Sequence, residues 1–336
     1  MDKDTRKQVR KLVENISKGR SAELLEDLIE TALNLGKDKA SIADLKLFSR
    51  ALREMRSAAK LFARYTDKKK VAIFGSARTS PEADEYKIAS TFAAKMVERG
   101  YMIITGGGDG IMGAAQHGAG AENSFGLNIR LPFEQPANTT IIGDPKLVLF
   151  RYFFTRKLNF VKDTDAFAMF PGGFGTQDES FEVLTLMQTG KALIAPILFI
   201  DKPGGYYWET WRRFMCNDLL SKGLISESDF NLFTVTSNLD EAVAEIEKFY
   251  SNFHSYRWVR EKMVIRIQRK LSAAALLDLN RRFESILIEG EITQSGALEE
   301  EKDSPELAEM PRIVLTPKKQ DFGIIRLMLD AINDAS

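Results

Sequence analysis

Between residues 70 and 250, short apolar runs alternate with amphipathic stretches, and three of those runs end in glycine-rich turns. The run at 71–74 precedes a helical pattern near 83–99, and the run at 101–105 precedes a glycine-opened helix near 110–121. Residues 125–131 and 146–150 read as strands, 155–163 as a helix and 166–170 as a strand. A helix over 178–189, a strand over 197–200, a helix over 206–222, a strand over 233–236 and a helix over 239–253 complete the series. Apolar runs this short fit strands buried on both faces better than helices. Parallel strands need long, usually helical, crossovers to join them, and those helices cover the sheet. The predicted fold class is α/β, a doubly wound parallel sheet.

Both flanks differ from this centre. Segments 5–17, 21–35 and 41–64 carry apolar residues at three- and four-residue steps, among them Leu24, Leu25, Leu28, Ile29, Leu45, Phe48, Leu52 and Met55. They predict a helical N-terminal extension, with Ser21 and Ser41 as N-caps. The polar break at 67–70 ends it. Beyond His254, residues 263–268 alternate as a strand does and 272–288 are amphipathic. Residues 291–310 hold seven acidic side chains and little to bury, and read as a mobile acidic linker. A strand near 313–315 and a helix near 323–333 follow. The expected organisation is a helical extension over 1–66, the α/β domain over 67–254 and a small α+β extension over 255–336.

Charge and composition narrow the partners. Residues 1–70 hold 18 Lys/Arg against 11 Asp/Glu, and residues 291–336 hold 5 against 10. A basic arm can touch nucleic acid, but these charges fall at helical spacing among leucines, as on a solvated helix face. Nucleic acid is not the expected partner, and a head-to-tail contact between the two ends accounts for the charge equally well. No apolar run approaches the ~20 residues that span a bilayer, and the first residues lack a secretory apolar core. A soluble, cytoplasmic chain is expected, without a membrane. The single cysteine, Cys216, forms no internal disulfide, and the two histidines, His117 and His254, are too few for a histidine-ligated metal. Neither a metal nor a cofactor is expected.

The three glycine-rich stretches are Phe74-Gly-Ser-Ala-Arg78, Gly106-Gly-Gly-Asp-Gly-Ile-Met-Gly113 and Pro171-Gly-Gly-Phe-Gly-Thr176. At the carboxyl edge of a parallel sheet, such turns bring backbone N–H groups close to an anion, and the dipole of the following helix favours negative charge. A lone glycine turn can also serve chain geometry only. Three in one sheet point to a nucleotide or a sugar phosphate. No GxxxxGK[ST] word is present, so a P-loop is excluded, and the first turn is too short for a dinucleotide pyrophosphate. A single phosphate fits.

The words GGGxGxMGA, from Gly106 to Ala114, and PGGxGTxxE, from Pro171 to Glu179, stand with an Arg-Lys pair, Arg156 and Lys157, ahead of the second. Together they resemble the LONELY GUY (LOG) family, nucleoside 5′-monophosphate phosphoribohydrolases that long carried a lysine decarboxylase label. The resemblance covers about residues 70–250 and includes FFTRK and FEVLTLMQTGK; the flanks resemble extensions of a longer bacterial subgroup. It implies a Rossmann-like fold, hydrolysis of an N-glycosidic bond to free base and ribose 5-phosphate, and a homodimer with residues of both subunits near the active site. It also implies that Arg156 and Glu179 are the catalytic pair.

The chemistry of those residue types agrees. Cleaving a nucleoside passes through an oxocarbenium-like sugar, so a carboxylate near C1′ stabilises charge and activates water. Arginine stays protonated and forks onto oxygens, which suits anchoring. Glu179 could equally be a first-turn carboxylate answering a helix dipole, as Asp178 is; the motif favours catalysis. The candidate phosphate and substrate contacts are Gly75, Ser76, Arg78, Gly106, Gly107, Gly108, Gly113, Lys157, Gly172, Gly173, Phe174, Gly175, Thr176 and Glu182. Ser76 fits a turn residue equally well, and Lys157 a surface charge. Asp109 and His117 read as helix-start and helix residues, Met112 and Met187 as packing. A decarboxylase would need a pyridoxal-phosphate lysine, and nothing singles one out. A non-catalytic nucleotide sensor on the same fold would not need a carboxylate at C1′. The base released is not specified by any short motif.

Overall fold

The computed structural model describes residues 3–132 and 136–335. The chain divides into two compact units, one up to Ala59 and one from Lys60 onward. The first holds α1 (Lys3–Glu14), α2 (Arg20–Lys37) and the greater part of α3 (Ile42–Phe62). Val9 and Val13 of α1 bury against Ala22 and Ile29 of α2, and Arg6–Glu30 and Arg10–Glu26 pairs at 3.0 and 3.5 Å flank that seam. Ser41 caps α3 by accepting from the Asp44 N–H at 3.1 Å. Ser21 does not cap α2. That helix starts one residue earlier, with Gly19 at the N-cap position and no side-chain cap.

The second unit opens with the α/β core. Its strands are β1 (Lys70–Phe74), β2 (Met102–Thr105), β3 (Ser124–Ile129), β4 (Leu147–Phe150), β5 (Ala166–Met169), β6 (Ile197–Ile200) and β7 (Thr234–Thr236). Between and after them run α4 (Asp84–Glu98), α5 (Ile111–Ala119), α6 (Phe153–Lys162), α7 (Phe174–Gln188), α8 (Tyr207–Phe214) and α9 (Leu239–Phe249). The sheet order is β4-β3-β2-β1-β5-β6-β7, and every pair is parallel. This is a Rossmann-like doubly wound sheet.

Strand periodicity explains the double burial. Val71 and Ile73 join Phe92, Met96, Ile111 and Ile246 on one face, while Phe74 packs on Phe160 of α6 on the other, ring centroids 4.8 Å apart. Along β6, Leu198 and Ile200 belong to the first face, and Phe199 meets Trp208 and Trp211 of α8 on the second. Each such fully buried side chain contributes ~1.5–3 kcal/mol of transfer free energy. Because the sheet order runs outward in both directions from β1 and β5, the loops leaving these neighbours diverge. That is where open α/β sheets form their crevice.

The rest of the unit is a four-stranded antiparallel sheet, order β10-β11-β9-β8, built from β8 (Phe253–Val259), β9 (Lys262–Ile267), β10 (Leu287–Ser295) and β11 (Arg312–Pro317). It is covered by α10 (Ala273–Phe283) and α11 (Phe322–Asp334). The strand β8 begins where the α9 pattern was expected to continue. The expected helix over 272–288 ends at Phe283, and the chain enters β10 through a single tight turn. The expectation of a mobile acidic linker over 291–310 is corrected. Residues up to Ser295 belong to β10, and Glu301 is buried at 3% exposure. Arg266 and Arg312 stand directly opposite each other on β9 and β11, a like-charge pair that needs an anion between them. Glu301 supplies it, at 2.7 Å from Arg266 and 2.9 Å from Arg312.

Candidate active site

Helix α7 begins at Phe174, four residues earlier than its apolar pattern suggests, so the third glycine loop is itself the helix N-terminus. No side chain caps it. The Thr176 and Gln177 N–H groups bond back to the Gly173 carbonyl at 3.1 and 3.2 Å. Those of Gly173, Phe174 and Gly175 have no partner among the described residues. A first turn always leaves such donors, and with the helix dipole they attract an anion.

This turn forms one wall of a cleft of about 810 Å³ at the carboxyl edge of the sheet. The turn after β1 brings Gly75, Ser76 and Arg78 to it, the turn after β2 brings Gly106 and Gly108, and the turn after β5 brings Gly172, Gly173, Phe174, Gly175 and Thr176. The loops are locked to one another. The Ser76 N–H donates to the Pro171 carbonyl at 3.1 Å, and the Ser76 carbonyl accepts from the Ile111 N–H at 3.0 Å. Gly110 makes the second link possible. It sits at φ +63, and a Cβ there would lie 2.3 Å from the Ser76 oxygen. Gly173 and Gly175 are different, since a Cβ on either would meet nothing within 4 Å. The fold does not demand glycine there, whereas close approach of a ligand to the backbone does.

Arg156 and Glu179 both line the cleft. Arg156 lies in the first turn of α6, its guanidinium carbon 5.4 Å from the ring centres of Phe153 and Phe160. Its Nη2 donates to Glu179 Oε1 at 3.3 Å. An arginine–carboxylate pair usually closes to ~2.7–2.9 Å with two prongs. Here the contact is single and long, and Arg156 Nε and Glu179 Oε2 are buried without partners among the described residues. Burial pushes the Glu179 carboxyl above the usual range, against the pull of Arg156 and Lys157. An acceptor and a donor are thus held desolvated and incompletely paired, which is costly unless a further group completes them.

Four candidates stand elsewhere. Gly107 spends its N–H on Thr105 Oγ1 at 2.9 Å and its carbonyl on the Asn138 N–H at 2.9 Å. Gly113 borders a smaller cavity of about 380 Å³, with Asp109 and His117, that shares Arg78 with the main cleft. Lys157 and Glu182 form an ion pair at 2.8 Å beside the cleft wall, and Lys157 reaches Asp178 at the same distance. Burial opposes the Lys157 charge, yet the two carboxylates outweigh it and hold its ammonium above the usual lysine range. Glu182 therefore answers Lys157 rather than Arg156. Met112 both lines the cleft and fills the space beside Gly106, 2.7 Å from where a Cβ would stand. Asn128, Phe153, Gln177 and Tyr207 also line the cleft and were not among the candidates. Asn128 is the penultimate residue of β3 and Tyr207 opens the helix after β6, and the rule that ligands sit beyond strand carboxyl ends points to them. Among the described residues no cluster of three His, Cys, Asp or Glu groups could hold a metal ion, and no helix is long and apolar enough to cross a membrane.

Comparison with known proteins agrees with this geometry. The family model described as "possible lysine decarboxylase" matches residues 112–246. Cytokinin riboside 5′-monophosphate phosphoribohydrolase LOG7 of Arabidopsis thaliana is 24% identical over 188 residues, 55% of this chain and 84% of that protein. The phosphoribohydrolase LOG of Oryza sativa subsp. japonica is 23% identical over 188 residues, 55% of this chain and 75% of its own. Over this α/β core the chain is similar to the LONELY GUY phosphoribohydrolases. Among solved structures, the molybdenum cofactor carrier protein of Chlamydomonas reinhardtii aligns at 17% identity and a TM-score of 0.37, covering 54% of this chain and 97% of that one. Within the α/β core, the matched segment runs from the second glycine loop through Arg156 and Glu179 to α9.

Proposed function

We propose that the protein hydrolyses the N-glycosidic bond of nucleoside 5′-monophosphates, AMP or an N6-modified AMP such as a cytokinin riboside 5′-monophosphate, to free base and ribose 5-phosphate. One observation carries this reading. A single helix, α7, presents three unpartnered amides at its first turn and a buried, half-paired carboxylate one turn later. At 1.5 Å per residue, Gly175 and Glu179 are separated by ~6 Å along the axis. A ribose 5-phosphate carries its phosphate and its C1′ in that same order.

The amides of Gly173, Phe174 and Gly175 take the phosphate. Arg156 anchors sugar oxygens and keeps Glu179 in place. The C1′–N bond breaks with its electron pair leaving on the base, and Glu179 faces the positive charge that develops on the sugar. Water then closes the C1′–O bond and yields its proton to the carboxylate, while the departing base takes up a proton. Among the described residues no lysine, the source of the amine a pyridoxal-dependent decarboxylase requires, lines the cleft.

The working unit in this reading is a homodimer. Phe153 and Phe174 of the cleft wall, and Phe154 and Leu158 of α6, stay exposed, Phe174 at 96%, and exposed apolar side chains of this size suit an interface between subunits. The deciding experiment measures base release from AMP and from adenosine on a preparation whose mass is read by sedimentation. A dimer with kcat/KM for AMP far above that for adenosine, undiminished by EDTA, is expected. Similar rates on both substrates, or a fully active monomer, would contradict it.

A further inference from the structure

Tyr207 is the first residue of α8, which follows β6, the sheet neighbour of β5. Its ring lies edge-on to Trp208 with centroids 4.7 Å apart, and Trp208 is fully buried against Phe199 of β6. The tyrosine is thus carried by the sheet and not by the loop it touches. Its hydroxyl donates to the Gly172 carbonyl and accepts from Gln177 Nε2 at 2.7 Å. Hydrogen-bond chemistry fixes these roles. A carbonyl can only accept, so the phenol proton goes to Gly172, and the phenol lone pair is left for an amide that can only donate.

Gly172 and Gln177 bracket the stretch whose amides are unpartnered. Gly173 and Gly175 within it have no neighbour within 4 Å of their Cβ positions, and glycine backbone is the most entropically expensive to hold in one conformation. One phenol ties both ends. We propose that Tyr207, backed by Gln177, is the positioning residue of this loop. It holds Gly172 to Gln177 in the shape in which the amides accept a 5′-phosphate, and so sets the preference for phosphorylated substrates. The proposal rests on the phosphoribohydrolase reading for its ligand, and Tyr207 acts through the loop, not on the reacting atoms.

Tyr207→Phe keeps the ring and its packing and removes both hydrogen bonds. With both bonds gone, affinity for ribose 5-phosphate, read by calorimetry, should fall by roughly tenfold or more. KM for AMP should rise in step and kcat change much less, so the AMP-to-adenosine preference narrows. Gln177→Leu should give a smaller shift in the same direction, and it carries the test if Tyr207→Phe does not fold. Unchanged ribose 5-phosphate affinity in both variants would overturn the proposal, as would a loss confined to kcat. A wild type that binds ribose 5-phosphate yet releases no base would sink the catalytic reading alone, since the binding series still decides the role of Tyr207.

Discussion

Two glutamates buried to the same 3% exposure, Glu179 in the α/β core and Glu301 in the C-terminal sheet, are treated in opposite ways. Glu301 is saturated. Arg266 approaches Oε1 through both Nε and Nη2, at 3.0 and 2.7 Å, and Arg312 and the Leu298 N–H reach Oε2 at 2.9 and 3.2 Å. Burial alone would push its carboxyl up, but the bonds from Arg312, Leu298 and Arg266 outweigh it and hold it below the usual range. Glu179 has one arginine at 3.3 Å and one oxygen with no partner, and burial holds its carboxyl above the usual range. The carboxylate that closes a fold is given all its donors, while the one proposed to meet a substrate has a bond withheld. The unsatisfied group marks the site better than burial or charge does.

The comparison breaks most sharply by neutralising Glu179. Glu179→Gln keeps the side-chain shape and removes the charge proposed to face the sugar cation. Electrostatic and general-base contributions of this kind amount to ~10²–10⁴-fold, and the loss should fall on kcat with AMP binding retained. Thermal stability should stay level or rise, because an incompletely paired buried charge disappears. A folded Glu179→Gln protein that turns over AMP within about threefold of wild type would reduce the residue to a helix carboxylate.

Glu301→Ala should do the reverse. Removing the anion leaves Arg266 and Arg312 facing each other in a buried site, and breaking such a pair typically costs ~3–5 kcal/mol. Denaturant unfolding should show that loss, and limited proteolysis should cut within 298–310. Base release from AMP below the new melting point should remain near the wild-type rate. Activity falling in parallel with stability would show that the two regions are coupled and not independent.

This division was only partly legible in the sequence. The sheet and the three loops could be read because buried parallel strands leave short apolar runs and glycine turns leave strong local signals. The pair Arg156 and Glu179 came from a motif, not from spacing, since 22 residues separate them along the chain and only the sheet brings α6 and α7 together. Seven acidic residues over 291–310 concealed one that is buried. What calls for Glu301 is the cross-strand pairing of Arg266 and Arg312, a register no local pattern displays. Tyr207 was missed for the same reason, because its partner Gly172 lies 35 residues away. Lys157 and Glu182 show the converse, residues in the right words whose side chains bond to each other.

The smallest effect is also the most discriminating, because pH moves the two glutamates in opposite senses. Glu179 has its folded-state carboxyl raised by burial, so the folded protein holds that proton more tightly than the unfolded chain. Above the raised value its charge is a penalty on folding. As pH falls through that value toward the ordinary glutamate range near ~4.3, the penalty fades. Glu179→Gln should therefore melt higher than wild type at neutral pH, and the gap should close on mild acidification. Glu301 has its folded-state carboxyl lowered, so its contribution is complete above the ordinary range and disappears only as pH falls through the lowered value. Glu301→Gln should melt lower than wild type from neutral pH down to the ordinary range, the gap closing only in stronger acid. The same raised carboxyl should place the acid limb of kcat/KM for AMP above the ordinary glutamate range, and residual activity of Glu179→Gln should lack that limb. Melting curves of the three proteins between pH 3 and 8 decide it: gaps that close together, or a limb that survives in Glu179→Gln, would mean the two carboxylates are not differently built.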